Sequence, residues 1–585
     1  MTSFSVWAPK AAEGVDVVLP GAGRRVGMTL GPGGWWRVDV ADAGPGTDYQ
    51  FSLDGGPAFP DPRSPFQPEG PHGPSRVVDH AAFGWTDELW RGAAPLSGAL
   101  VYEAHIGTFT PEGTFDGAIG RIPHLVELGV THLELLPVAE FPGRRGWGYD
   151  GVALFAPHHA YGGPDGLKRL VDACHAAGLG VILDVVYNHL GPDGNYLGAY
   201  GPYFTDRYNT PWGQAVNYDD AGSDEVRAFV GDNALHWLEH YHIDGLRLDA
   251  VHAIFDTSAI HILEELTRRV ATLSARVGRR KFLIAESDLN DPRLVRAPEA
   301  GGYGLDAAWS DDFHHALHAA LTGETAGYYE DFGGLAPLGR ALTQGYVYTG
   351  AHSPHRGRRH GRPLAGVTGH RLLGYLQNHD QVGNRAAGER SAALMSTGRL
   401  KIAAALVLCG PFVPMLFQGE EWGASTPFQY FPDHTDADLG RAVSEGRAQE
   451  FAAFGWKPDE VPDPQDPATF ERSVLDWSEI DGPPHADLLA WHRTLIALRR
   501  AWPELSDGDF DEVRTDFDEA AGWFRLTRGP IVVAANLATA PQAVPVGAGR
   551  AEILLASDEA GTTFEAGAVV LPPDSVAIVG LAPAI

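Results

Sequence analysis

Four short stretches hold the residues that could do chemistry. Gly245-Leu246-Arg247-Leu248-Asp249 sets an arginine and an aspartate two positions apart. Side chains alternate along an extended strand, so Arg247 and Asp249 share one face while Leu246 and Leu248 share the other. A guanidinium beside a carboxylate keeps the acid ionised and fixes its rotamer, which suits a nucleophile. Glu286 leaves the apolar run Phe282-Leu283-Ile284-Ala285. Apolar surroundings raise a carboxyl pKa, which suits a proton donor. Asp184-Val185-Val186-Tyr187-Asn188-His189 follows an apolar run, and Asn378-His379-Asp380 follows Leu372-Leu373-Gly374-Tyr375-Leu376. One carboxylate and one carboxylic acid, about 5 to 5.5 Å apart, are what a retaining glycoside hydrolase requires. Asp380 and His379 are placed to bond sugar hydroxyls as the ring flattens toward an oxocarbenium-like transition state. An isolated Arg-x-Asp is more often a structural ion pair. Four such stretches in chain order, each at a strand exit, outweigh that reading.

Those exits imply a particular scaffold. Runs with strand character fall at Ala99–Ala104, His132–Leu136, Gly180–Val186, Ile243–Asp249, Phe282–Glu286, Leu305–Trp309, Leu372–Leu376 and Phe412–Phe417. Helical patterns such as Gly166–Ala177, Glu225–Tyr241 and Ser258–Arg269 separate most of them. Strand–loop–helix repetition over this length predicts an α/β fold, a (β/α)₈ TIM barrel with inserted loops, whose chemistry sits at the carboxyl ends of the strands. A doubly wound sheet would carry a Gly-rich phosphate turn after its first strand, and none is present. Residues 1–94 read as an N-terminal β-sandwich, with strands at Phe4–Trp7, Val15–Leu19, Trp35–Val40 and Tyr49–Leu53 and a Pro-rich linker from Pro57 to Pro74. The barrel then spans 95–503, ending on the helix Asp487–Arg500. A C-terminal β-sandwich spans 504–585, with strands near Gly522–Leu526, Ile531–Ala535, Ala568–Leu571 and Ser575–Val579.

Composition narrows the partners. The chain has 585 residues and a net charge of −31, which disfavours nucleic acid and anionic membrane surfaces. Cys174 and Cys409 both lie in apolar or helical patterns and predict neither a disulfide nor a metal site. The opening Met1-Thr2-Ser3-Phe4-Ser5-Val6-Trp7 lacks a signal-peptide pattern and no apolar run spans a bilayer, so a cytoplasmic location is expected. The pair His158-His159 lacks carboxylates at ligand spacing and reads as a hydrogen-bonded loop pair. The basic run His355-Arg356-Gly357-Arg358-Arg359-His360 reads as a solvated loop that could fold over a ligand. Trp147 and Tyr149, in a Gly-flanked loop, and Trp212 are candidates for stacking on sugar rings. No cofactor and no metal are expected.

These motifs resemble the alpha-amylase superfamily of glycoside hydrolases, over essentially the whole chain. The resemblance implies Asp249 as nucleophile, Glu286 as acid/base and Asp380 as transition-state stabiliser. It further implies that Arg247, His189, His379 and Asp184 hold the sugar whose bond is cut, with Tyr149 as its platform. Phe4-Ser5-Val6-Trp7-Ala8-Pro9 resembles the β-sandwich module that precedes branching and debranching members. One departure is informative: many alpha-amylases place Lys-His three and four positions after the nucleophile, and here those positions are His252 and Ala253. That variant is similar to the trehalohydrolase family within the superfamily. So are Ala285-Glu286-Ser287-Asp288-Leu289-Asn290-Asp291, Trp309-Ser310-Asp311-Asp312-Phe313-His314-His315 and Thr322-Gly323-Glu324. The implied substrate is maltooligosyltrehalose, cut next to its terminal trehalose, and the implied functional partner is a maltooligosyltrehalose synthase. Asp311, Asp312, His252 and Glu324 are the residues expected on the trehalose side. A branching-type transglycosylase using the same carboxylates and a non-catalytic glucan-binding barrel stand as alternatives; the four intact motifs disfavour the second.

Overall fold

In the computed structural model, residues 1–452, 457, 461–547 and 551–581 are described. Eight parallel strands close into a barrel in sequence order: β1 (Val101–Ala104), β2 (His132–Leu135), β3 (Gly180–Val185), β4 (Gly245–Leu248), β5 (Phe282–Ala285), β6 (Ala307–Trp309), β7 (Leu372–Gly374) and β8 (Val413–Phe417), which returns to β1. Every one of these strands is buried along its whole length, because helices cover the outside and side chains fill the inside. All eight match the runs read from the sequence, trimmed by up to two residues at either end.

Register sets the site. Arg247 on β4 lies beside Asp184 on β3, and Glu134 on β2 beside Glu103 on β1. Strand β4 stops at Leu248; Asp249 N–H still bonds the carbonyl of Val185. Ala250 then turns with φ +37°, a left-handed conformation that costs a residue with a Cβ. That strain falls directly after the candidate nucleophile.

From Ile402 onward the helix Thr397–Cys409 is apolar on all sides and fully buried, as such a stretch must be. It lies between the barrel and the C-terminal sheet, whose strand order is Val513–Asp518, Trp523–Arg528, Ile531–Asn536, Ser575–Leu581 and Ala551–Ala556. A second sheet joins Gln542–Pro545, Ala568–Leu571 and Thr563–Glu565. The N-terminal strands form two sheets, one built on Thr2–Trp7 and Trp35–Val40 and the other on Val15–Leu19 and Asp48–Leu53. The Pro-rich run at 57–74 is not a tether. Ala58–Phe59 pairs with the strand Asp48–Leu53, and the side chains of Ser64 and Gln67 are fully buried and bonded to each other. Proline here fixes a packed turn rather than an extended spacer.

Between β6 and β7 the chain inserts a helix (Asp311–Thr322), a short 3₁₀ segment (Gly327–Phe332), a second helix (Ala336–Gln344) and a hairpin of Thr349–Ser353 with Arg358–Gly361. The basic run expected to be a solvated loop forms the turn and second strand of this hairpin, with His360 buried. Both cysteines are buried and free. Among the described residues, no helix is long and apolar enough to cross a membrane.

Candidate active site

A cleft of about 520 Å³ opens at the carboxyl ends of the strands, lined by Asp249, Glu286 and Asp380 among others. Its floor is Arg247, which is fully buried and central to the charge pattern. One terminal nitrogen, Nη1, donates to Asp184 Oδ2 at 2.6 Å and to Asp249 Oδ1 at 2.9 Å. The other, Nη2, lies 3.2 Å from Glu286 Oε2. The plane of the guanidinium sits over Trp309 on β6, 4.2 Å from the ring centroid. Asn188 completes the hold on Asp249, donating from Nδ2 to Oδ2 at 2.6 Å and to the backbone carbonyl at 2.8 Å. Both oxygens of Asp249 therefore accept, and the rotamer is fixed from two sides.

Glu286 stands in a different environment. Burial drives its carboxyl well above the ordinary carboxylate range; Arg247 pulls it back, while Asp249, Asp380 and Asp311 push it up further. Its Oε2 accepts the N–H of Ala250 at 2.6 Å, so the strained turn after Asp249 also aims the acid. Asp184 is likewise raised, to about 6, by burial against the pull of Arg247.

His379 is held by two facing elements. Its Nδ1 donates to Glu103 Oε1 at 2.5 Å, and its backbone N–H donates to Glu103 Oε2 at 3.0 Å. Its Nε2 lies 2.7 Å from Tyr149 Oη, which donates its own proton to Asp184 at 2.6 Å and so accepts from the imidazole. Burial alone would lower the imidazole; the carboxylates of Asp380 and Glu103 overcome it and hold the pKa up at about 9. Tyr149 stacks on His379 at 5.1 Å between centroids, and Trp147 meets it edge-on at 5.6 Å. His189 stacks face to face on Trp212, 4.4 Å apart and 9° from parallel.

Of the residues singled out in the sequence, Asp249, Glu286, Asp380, Tyr149, Trp147, His189, His252 and Asp311 line the cleft. Arg247, Asp184 and His379 lie beneath and bond those that do. Two are placed elsewhere. Asp312 points away and caps backbone N–H groups of Val347 and Tyr348 at 2.6 and 2.9 Å, so it anchors the segment leading into the hairpin. Glu324 accepts from His318 and Arg385, and the His318 bond in particular lowers it to about 2. Asn188, Glu103, Asp288, Arg356 and Tyr328 were not picked out as site residues. Asn188 was legible from its place just before His189, whereas Arg356, 70 residues beyond the acid, lies in the basic run read as a loop that could fold over a ligand, with nothing there to mark which residue of the run reaches the cleft.

The pair His158-His159 does have a carboxylate. Glu140, brought back by the antiparallel pairing of Ala139–Glu140 with Ala153–Pro157, accepts from His159 Nδ1 at 2.7 Å and lies 3.5 Å from His158 Nε2. Sequence spacing could not show this because strand pairing supplies the contact. His158 Nδ1 accepts the Ala160 N–H, so Nε2 carries the ring proton and a neutral His158 has no lone pair there for a metal.

A family model described as "Alpha amylase, catalytic domain" matches residues 76–201, and one described as "Domain of unknown function (DUF3459)" matches 508–578. The chain is 54% identical to the malto-oligosyltrehalose trehalohydrolase of Arthrobacter ramosus, over 93% of this chain and 94% of that protein. It is 44% identical to the one of Saccharolobus solfataricus, over 86% and 85%. The crystal structure of a provisionally named alpha amylase from Salmonella typhimurium superposes with a TM-score of 0.89 at 40% identity, covering 99% of this chain and 97% of that one. With identity of this order sustained from end to end, the chain belongs to the malto-oligosyltrehalose trehalohydrolase family.

Proposed function

We propose that the protein hydrolyses the α-1,4 bond next to the terminal trehalose of a maltooligosyltrehalose, with retention, releasing trehalose and a maltooligosaccharide. The observation that carries this reading is the split between two carboxyls sharing one buried guanidinium: Asp249 accepts at both oxygens, while Glu286 is held well up toward its protonated form. Glu286 gives its proton to the glycosidic oxygen as that bond breaks, and trehalose leaves neutral. Asp249 forms the bond to the anomeric carbon, giving a covalent glycosyl-enzyme. Water then attacks that carbon, its proton passes to the ionised Glu286, and the bond to Asp249 breaks. Asp380 faces the ring and bonds its hydroxyls most strongly when positive charge develops, while the charged His379 beneath it holds Tyr149 in place. Arg247 and Asp184 keep the pair of acids and Tyr149 in register.

The three-part division at residues 94 and 503 and a cytoplasmic location belong to the same reading. So does a functional pairing with a maltooligosyltrehalose synthase, since an enzyme that builds trehalose ends must precede one that removes them. The test is product analysis. Incubation with maltotriosyltrehalose should release free trehalose and an α-anomeric maltotriose at early times, with slow action on maltopentaose and amylose. Branched glucan from amylose without trehalose would make the protein a transglycosylase on the same scaffold.

A further inference from the structure

Three buried polar side chains beside the site take no part in the steps above. Gln418 follows β8, His105 follows β1, and Thr108 lies in the short helix Ile106–Phe109 just beyond. All three are buried. Strand β8 pairs with β1 and β1 with β2, so these residues stand at the exits of neighbouring strands, next to the loop after β2 that carries Trp147 and Tyr149.

Their hydrogen bonds run in one direction only. The backbone N–H of His105 is a donor, so the Gln418 side-chain atom facing it at 2.9 Å is the carbonyl Oε1. Nε2 is then the amide nitrogen, and it donates to Thr108 Oγ1 at 2.9 Å. A hydroxyl that accepts there has its own proton left to give, and its partner is His105 Nδ1 at 3.0 Å. An imidazole that accepts at Nδ1 carries its proton on Nε2, and this proton goes to the Gly146 carbonyl at 2.8 Å. A carbonyl can only accept, so the two ends of the chain agree. Burial pushes the imidazole down to about 4 against the pull of that carbonyl, so the ring is neutral, as the chain requires. The start of the chain is anchored too. Gln418 N–H bonds the Glu103 carbonyl at 2.9 Å, and Arg390 Nη1 bonds the Gln418 carbonyl at 2.7 Å.

At its far end the chain holds the aromatic loop. Gly146 directly precedes Trp147 and stands three residues before Tyr149. Between them Gly148 has φ +100°, and a Cβ there would lie 2.1 Å from the Pro137 carbonyl oxygen, so the backbone is pressed against its neighbour. Trp147 Nε1 is tied to the Gln429 carbonyl at 2.8 Å. We infer that Gln418, Thr108 and His105 are positioning residues for the sugar platform. Their one-way chain across the exits of β8 and β1 fixes the Gly146 carbonyl, and with it the place of Trp147 and Tyr149 in the cleft. The inference rests on the hydrolase reading above, in which Tyr149 is the platform of the sugar that is cut. Its physical basis is that each member has a single proton arrangement that satisfies all of its neighbours. Removing or reversing one donor leaves a buried polar group unpaired somewhere along the chain, and the loop at its end is the part free to shift.

The measurement is KM for maltotriosyltrehalose, which does not depend on how much of a preparation is folded. Thr108→Val keeps the volume and removes the hydroxyl; Gln418→Glu keeps the shape and puts an acceptor where the donor was. Each should raise KM by ~10-fold, whereas Thr108→Ser, which keeps the hydroxyl and loses a methyl, should stay within about twofold of the unmodified protein. Packing alone would give the reverse order for the two Thr108 variants. In a Tyr149→Ala background, Thr108→Val should add less than about twofold, because the chain acts through that loop. Thr108→Val within about twofold of the unmodified protein, Thr108→Ser at least as impaired as Thr108→Val, or losses that multiply in the double variant would overturn the inference. Should the unmodified protein release no trehalose, the hydrolase reading fails on its own. The dissociation constant of maltopentaose for the same variants then decides the inference by the same pattern.

Discussion

The two halves of the cleft are built on different principles. On the side of Tyr149, His189 and Asp184, the charged contacts run back to the barrel strands that carry Asp184 and Arg247 and are shared through that single fixed cation. On the side of Asp288 and Arg356, the contacts run instead to an inserted hairpin, held by capped backbone groups and one ion pair. The first half is rigid because the closed barrel over-determines it. The second can change its sequence without disturbing the strands, which is where a fold acquires selectivity. Acids held by the strands and a cleft wall held by the insert is the division that variants can break.

The largest effect should come from the shared floor. Asp249→Asn removes the proposed nucleophile while keeping its size and its contact with Asn188. Turnover should fall by roughly 10⁴-fold or more on every substrate, with the selectivity between trehalose-ended and plain chains unaffected. Steady-state kinetics on both substrates read this directly, and a thermal unfolding curve close to that of the unmodified protein confirms that the fold is intact. A variant retaining near-normal rates would remove Asp249 from that role.

The same division explains what could be read without coordinates. Strands buried on both faces leave continuous apolar runs, so all eight barrel strands were legible. The candidate acids Asp249 and Glu286 could be picked out too, because each follows directly on one of those runs. What could not be read are contacts made by pairing and insertion. Glu140 reaches His159 through an antiparallel pairing, and Arg356 reaches Asp288 from the far side of three inserted elements. The helix expected to begin at Ser258 begins at Ile262 instead. Asp256, gripped by Arg227, accepts the N–H groups of Ser258 and Ile262 and holds the preceding turn out of the helix. Asp312 and Glu324 failed as cleft residues for a related reason: a helix start or a loop acid offers no sequence mark of which way it points.

A second prediction tests how deep the rigid half extends. Glu103, at the foot of the site on β1, touches no cleft atom but receives two bonds from His379. Groups facing His379 are Glu103, Asp380, Asp184 through Tyr149, Arg247 and, lower in the barrel, Glu134. The net effect raises the imidazole to about 9, so the charged form contributes stability that is fully present below the unfolded pKa of about 6.5 and is lost as pH rises through about 9. Glu103→Gln keeps the shape and one acceptor but removes the charge. Its kcat should fall by ~10-fold near pH 8 and by less near pH 6, equally for both substrates. A loss that does not vary with pH would mean that Glu103 only packs the barrel.

The smallest effect belongs at the rim of the rigid half, where Trp212 lies over His189. The indole is 48% exposed and forms one face of the cleft mouth, yet its parallel contact with the imidazole is the closest aromatic stack in the site. Two roles are then separable. If the ring serves sugar stacking, Trp212→Ala should raise KM by ~3- to 10-fold for long chains and leave kcat nearly unchanged, because the lost contact is equal in ground and transition states. If it mainly holds His189 against Asn188 and the Tyr149 carbonyl, kcat falls and chain length makes no difference. Trp212→Phe should restore most of KM in the first case, since a smaller ring still offers an apolar face. The exposure and the position at the mouth favour the first outcome, and a series of chain lengths on the two variants decides it.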